Sequence, residues 1–238
     1  MRPDPEDGLV SVIAPVYRNA DSLDELHRRL VAVLEGLGRP FELVFVDDAS
    51  PDDSGRVLRR LADADARVRV LTLVRNEGQH CAVLRGLAAA RGDDLIVLDS
   101  DLQDPPEAIP SLLAAADSGV AAVFAGRRGS YESAGRLRTS HLFKRVNRLL
   151  CGVPVDAGLF VLLRRPLVER LLELSGPPPH VVSMIGLSGL RMHSIPVERA
   201  KRPLGSSAYS ARRRFAAATR ALGWGLLWRW SPLRRAWR

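Results

Sequence analysis

Apolar runs recur along the N-terminal part of the chain with polar stretches between them long enough for a helix each. LVSVIAPV (9–16), FELVFVDD (41–48), RVRVLTLV (67–74) and DLIVLD (94–99) are short and dense in Val, Ile, Leu and Phe, the pattern of strands buried on both faces. The intervening segments read as helices. Ser22 with Glu25 forms a capping box that opens a helix running to about Gly36. SPDDSGRVLRRLADA turns through Pro51 into a second, and GQHCAVLRGLAAARG follows a turn at 76–78 and ends near Gly92. Connections of that length are crossovers, so the pattern predicts an α/β fold: a mostly parallel central sheet with helices on both faces and a Rossmann-like N-terminal half.

Further on the pattern is less regular. Residues 120–125, 159–165 and 190–198 read as strands, the last two separated by a helix after Pro166, while GRRGSYESAG is a loop and RLRTSHLFKRVNRLLCG a basic helix. No repeat or linker stands out, so the expected organisation is one domain over 1–210 followed by a tail, 211–238.

Polar residues collect where the expected strands end: Tyr17 and Asn19, Asp47 and Asp48, Arg75 and Asn76, then Asp99 and Asp101. In open α/β sheets ligands bind beyond the carboxyl ends of the strands. Four loops therefore build one crest. Two nucleotide sites are excluded there, since APVYRNADS follows the first strand where a dinucleotide site needs G-x-G-x-x-G, and no G-x-x-x-x-G-K-[ST] occurs. Asp99, Asp101 and Gln103 instead offer oxygen ligands to a hard divalent cation, Mg2+ or Mn2+. The alternative for so short a motif is local, with Asp99 capping the strand end and Asp104 capping a helix that starts at Pro105.

Composition narrows the partners. The 238 residues are 46% hydrophobic, enough for an ordinary core, and carry a net charge of +8. Cys81 and Cys151 lack metal-type spacing and suggest no disulfide framework. The N-terminus has no charged start followed by an apolar run, and no uncharged apolar run approaches the roughly 20 residues of a membrane span, so a cytoplasmic, non-spanning chain is expected. After Glu198 no acidic residue occurs, while eleven Lys and Arg and all four Trp do. Such a tail suits an anionic membrane surface, or else a solvated basic helix packed by its indoles. No nucleic-acid-binding motif accompanies it.

The chain resembles the family 2 glycosyltransferases of glycosyltransferase-A fold, in particular the polyprenyl-phosphate sugar transferases such as dolichyl-phosphate mannose synthase and the bactoprenol glucosyltransferases. VSVIAPVYRNADSL, FELVFVDDAS, VRNEGQHCAVLRGLAAARGDDLIVLDSDLQDPPE, DAGLFVLLRR and RPLGSSAYS carry the likeness, in order over most of the chain. The resemblance implies that Asp99, Asp101 and Gln103 hold a divalent metal on the donor diphosphate. It also implies that Asp47 or Asp48 reads the donor base beside the loop holding Pro15, Tyr17 and Asn19, with Arg75 nearby. Arg127, Arg136 and Ser140 occupy positions that meet phosphate in dolichyl-phosphate mannose synthases. Arg202, Gly205, Ser207 and Tyr209 match a later R-x-x-G-x-S-K-Y element, with Ala208 where Lys is usual. Bacterial relatives commonly read D-x-G-D-F-R-L where this chain has Asp156, Gly158, Leu159, Phe160 and Val161, which leaves Asp156 as the acid expected at the reacting centre, with Glu132 and His180 as further possibilities. His180 and His193 otherwise read as packing residues.

The function so implied is inverting, metal-dependent transfer of a hexose from a nucleoside-diphosphate sugar to a polyprenyl phosphate at the cytoplasmic membrane face. A UDP-sugar is the favoured donor and GDP-mannose the second. Two alternatives stand beside it: a soluble hydroxyl acceptor with the same donor type, and an inactive donor-binding or interaction protein motivated by Leu159, Val161 and Ala208.

Overall fold

The computed structural model describes residues 6–128, 148–174, 179–199 and 223. Seven strands form one mixed sheet: β1 (Glu6–Val16), β2 (Phe41–Asp47), β3 (Val68–Thr72), β4 (Gly92–Val97), β5 (Ala122–Arg128), β6 (Val161–Arg164) and β7 (Met192–Glu198), in the order β3-β2-β1-β4-β6-β5-β7. The helices are α1 (Ala20–Glu35), α2 (Ser54–Ala64), α3 (Gln79–Ala89), α4 (Ile109–Ala115), α5 (Arg165–Glu173) and α6 (Val181–Leu187). The expected four β-α units are present. In place of a capping box, α1 begins three residues earlier than expected, with Asn19 rather than Ser22 at its N-cap, and the Ser22 hydroxyl donates to the carbonyls of Asn19 and Ser100.

Alternation along the strands sorts side chains into two cores. Val10, Val12, Ala14, Leu43, Phe45, Ile96 and Leu98 meet α1, α2 and α4 on one face. Ile13, Val44, Val46, Leu95 and Val97 meet α3, α5 and α6 on the other. Helix α3 lies so close to the sheet that a Cβ at Gly86 would stand 2.4 Å from Ile13 Cγ2. That contact brings the first turn of α3 over the strand ends.

One strand departs from the parallel expectation. β6 runs antiparallel to both β4 and β5. Its reason lies in where the chain re-enters: β5 runs parallel to β7 and ends at the crest, and Phe160, just before β6, accepts the amide of Ala125 there. A strand entered from the crest has to run back toward the base. The strand order also reverses at β1, whose neighbours are β2 and β4, and the crevice opens at such a switch point.

The base of the sheet is closed by ion pairs. Glu42, 1% exposed, binds Arg69 and Arg91, and Asp94 binds Arg39 and Arg164. Burial pushes the Glu42 carboxyl upward, but hydrogen bonds from the Ser11 hydroxyl, the Arg91 amide and Arg69 together hold it below the usual range.

Candidate active site

The acidic loop after β4 is wound so that its side chains diverge. Leu102, between Asp101 and Gln103, has φ 63° and is buried, and Arg18 and Ala49, in the loops after β1 and β2, also have left-handed φ. For residues with a Cβ that conformation is unfavourable. All three lie at the crest, where strain of this kind marks functional loops. With Leu102 turned into the core, Asp101 and Gln103 lie half-buried on either side of it, and the Gln103 amide donates to Asp101 Oδ1 at 3.1 Å.

Asp99 is held from two directions. Gln79, the first residue of α3, donates from Nε2 to Oδ1 at 2.5 Å, and Arg199, just past β7, donates from Nη2 to Oδ2 at 3.1 Å. The same guanidinium reaches Asp104 Oδ1 through Nε at 2.7 Å. Asp104 Oδ2 accepts the Asp99 amide at 3.3 Å, which completes a ring of contacts around the loop. Asp104, 1% exposed, is thus an anchor and not a helix cap; the turn that follows is a 3-10 helix, Pro106–Ala108, preceded by Pro105. Burial opposes the charge of Arg199, yet Asp104, Asp99 and Asp101 outweigh it and raise its pKa above the ordinary guanidinium value.

The Asp47–Asp48 pair is divided by its hydrogen bonds. Both carboxylate oxygens of Asp48 accept backbone amides of the turn before α3, Glu77 at 2.7 Å and Gly78 at 2.9 Å, while its carbonyl accepts Asn76 Nδ2. Burial is the main cause that lifts its pKa above the usual value. Asp47 Oδ1 accepts a local amide, that of Ser50, at 2.9 Å. Ser100 Oγ donates to the Pro15 carbonyl and so ties the acidic loop to the end of β1. Tyr17 and Asn19 are half-buried there, with Asn19 Oδ1 accepting the Tyr17 amide, and Arg75 is exposed.

Asp156 joins this crest from the other side. Its Oδ1 accepts the Ser194 hydroxyl at 2.8 Å, and its Oδ2 lies against Gly126 of β5. His180 is the N-cap of α6: its Nδ1 accepts the Ser183 amide, and its ring packs 4.6 Å from that of His80. His193 lies half-buried on β7. Arg127 belongs to β5, opposite Val197 in the register, but its side chain, together with Glu132, Arg136, Ser140, Arg202 and Ser207, lies outside the described residues; of the expected basic helix only the end is described, with 148–151 helical. Gln79, Arg199 and Ser194 are the participants that motif reading missed. Gln79 opens a predicted helix beside a crest turn, a signal that could have found it; Ser194 and Arg199 are brought to the crest only by the pairing of β7 with β5.

Matching against family models finds glycosyl transferase family 2 over residues 11–172. The chain belongs to that family. It is 38% identical over 207 residues to an undecaprenyl-phosphate 4-deoxy-4-formamido-L-arabinose transferase of Klebsiella pneumoniae, covering 86% of this chain and 63% of the relative. A Salmonella paratyphi A protein of the same name is 35% identical over the same shares. The chain thus spans under two thirds of these relatives' length. Among solved structures, a Mycobacterium tuberculosis glucosyl-3-phosphoglycerate synthase in complex with Mn2+, UDP and phosphoglyceric acid superposes with a TM-score of 0.68 at 22% identity, over 93% of this chain and 78% of that one. A Pyrobaculum calidifontis mannosyltransferase in complex with GDP-Man and Mn2+ gives 0.65 at 21%, over 94% and 66%. The fold of family members with these neighbours is glycosyltransferase-A, as the sequence motifs imply.

A divalent cation suits the donor chemistry of the acidic loop. Two carboxylates and a carboxamide lie on alternate residues, all oxygen donors of the hard type. Among the described residues no three His, Cys, Asp or Glu side chains group to enclose an ion. A hard cation held by this loop would leave positions open to substrate oxygens or water, as such ions commonly do.

Proposed function

We propose that this chain transfers a sugar from a nucleoside-diphosphate donor to a polyprenyl phosphate with inversion, using a divalent metal. The observation that carries the reading is the Asp99–Gln103 loop, strained at Leu102 and braced by Gln79 and Arg199, at the same end of the sheet as the buried Asp47. Asp101 and Gln103, with Asp99, are the proposed ligands of Mg2+ or Mn2+. When bound, the cation supplies Lewis-acid stabilisation of the charge that builds on the departing nucleoside diphosphate.

The protein's own groups do the rest. Asp48 is spent on the turn before α3, so Asp47, with Pro15, Tyr17 and Asn19 around it, is proposed to read the donor base, and Arg75 to lie at the donor's edge. Arg127, Arg136, Ser140, Arg202 and Ser207 are proposed, from the sequence alone, to hold the acceptor phosphate by charge-assisted hydrogen bonds. A phosphate monoester is already largely a dianion at neutral pH, its second pKa being about 6. It needs cations around it more than a base. The relatives' names support the acceptor, and their sugar, 4-deoxy-4-formamido-L-arabinose, widens the expected hexose to a donor panel that includes arabinose-type sugars.

Among the described residues no helix is long and apolar enough to cross a membrane. Residues 211–238, beyond a catalytic unit of 1–210, are proposed to bind an anionic membrane surface at its cytoplasmic face. A second reading has a specific observation behind it: Asp156 presents a carboxylate at the crest, held by Ser194, and could serve as base for a hydroxyl acceptor.

The metal reading is tested with Asp101→Ala and with chelator. Nucleoside-diphosphate release should fall at least ~100-fold in both, the scale on which loss of one charge-stabilising group is felt, while thermal unfolding of the variant stays near wild type. Full turnover in excess chelator would contradict the metal assignment.

A further inference from the structure

At the base of the sheet each of two buried carboxylates takes two arginines, Glu42 with Arg69 and Arg91, and Asp94 with Arg39 and Arg164. The arrangement at the crest is inverted. One guanidinium, that of Arg199, spans two carboxylates, Asp99 at 3.1 Å and Asp104 at 2.7 Å, with its side chain 17% exposed. Asp104 is fully committed to structure, because its other oxygen takes the Asp99 amide. Asp99 is different: it is also a proposed metal ligand, so the oxygen facing Arg199 borders the cation's own ground.

We propose that Arg199 makes cation binding at this loop conditional on the nucleoside diphosphate, a proposal that rests on the metal reading of Asp99, Asp101 and Gln103 given above. A bare divalent cation would have to share Asp99 with a fixed positive charge, and like charges at this range repel strongly in a half-buried setting. A cation that arrives with a diphosphate brings anionic oxygens, which offset that repulsion and offer the guanidinium a further anionic partner besides Asp99 and Asp104. Arg199 also keeps Asp99 and Asp104 from splaying apart, so the loop retains its shape before the donor arrives. Its role is that of a positioning and selectivity residue, which holds free metal off without touching the reacting sugar. The position is supplied by the end of β7, a strand outside the acidic motif.

The test is Mn2+ binding measured by electron paramagnetic resonance on the full chain, with Mn2+ alone, with Mn2+ plus UDP and with Mn2+ plus GDP. Wild type should bind Mn2+ weakly alone and at least tenfold more tightly with the nucleotide that fits. Arg199→Gln should bind Mn2+ alone roughly tenfold more tightly than wild type, the effect of about 1.4 kcal/mol, so that the enhancement by nucleotide shrinks. Arg199→Lys, which keeps the charge, should restore the weak binding of bare Mn2+. Equal affinities in wild type and Arg199→Gln, with nucleotide enhancement intact, would overturn the role of Arg199 and leave the metal reading standing. Wild-type protein alone can also overturn it, by binding bare Mn2+ as tightly as with nucleotide. If Mn2+ binds in none of the three conditions, the metal reading falls, and this proposal with it.

Discussion

Gly126 has no room for a side chain. A Cβ there would stand 2.1 Å from Asp156 Oδ2 and 3.2 Å from the Ile195 carbonyl oxygen, so Asp156 is trapped between this glycine and the Ser194 hydroxyl. Gly126→Ala should displace the carboxylate and lower stability by about 1–3 kcal/mol, with nucleotide binding unchanged by calorimetry; a kcat lowered at least tenfold as well is the outcome expected of the hydroxyl-acceptor reading, in which Asp156 is the base. Unchanged kcat in a folded Gly126→Ala protein would remove Asp156 from the reacting centre. At this scale the motifs were legible and the partnerships were not. The D-x-D-x-Q spacing and the Asp47–Asp48 pair stand out in the sequence, because oxygen donors after an apolar run have few other uses. That Asp48 would turn inward to two amides, and Asp104 to Arg199 and the Asp99 amide, depends on loops meeting in space. Local capping rules, applied to Ser22 and Asp104, failed for the same reason: each side chain found a partner across the crest.

Secondary elements were more readable than their directions. Two-sided burial gives β1, β2 and β4 uninterrupted apolar runs, and the helices between them leave only crossover connections. The antiparallel β6 was hidden because its direction is decided by where the chain stands after β5, which no local pattern encodes. Of the tail only the sequence speaks: in 211–238, helical spacing would put Phe215, Leu222, Leu226 and Trp230 on one face, with Arg212, Arg213 and Arg220 among the flanking charges. If that segment meets a membrane, each basic residue near the surface contributes about 1 kcal/mol, screened by salt. Flotation should then show binding to anionic vesicles that weakens at high salt and disappears when the tail is deleted. Equal partition into neutral vesicles would return the indoles to ordinary packing.

For the molecule as far as it is described, charge is divided between paired groups at the base of the sheet and the acidic loops of the crest. Glu42 has a folded pKa below its ordinary value, so its contribution to stability is present above the unfolded value of about 4.3 and is lost as pH falls through the folded one. Asp48, whose folded pKa is raised, acts with the opposite sign, its cost appearing as pH rises past about 3.9. Thermal unfolding between pH 5 and 3 should show the loss, and Glu42→Gln should flatten that slope while lowering the plateau. An unchanged slope would place the acid sensitivity elsewhere. Sugar transfer at the crest is the reading proposed, and it stands most directly on the acceptor. With a donor that the chain hydrolyses or transfers, a short polyprenyl phosphate and the matching polyprenol should be offered side by side in the presence of Mn2+. Sugar should pass to the phosphate and not to the alcohol, with release of nucleoside diphosphate in step; efficient transfer to the alcohol, with one essential base in the pH profile, would contradict the account and give the reaction to Asp156 and a hydroxyl acceptor.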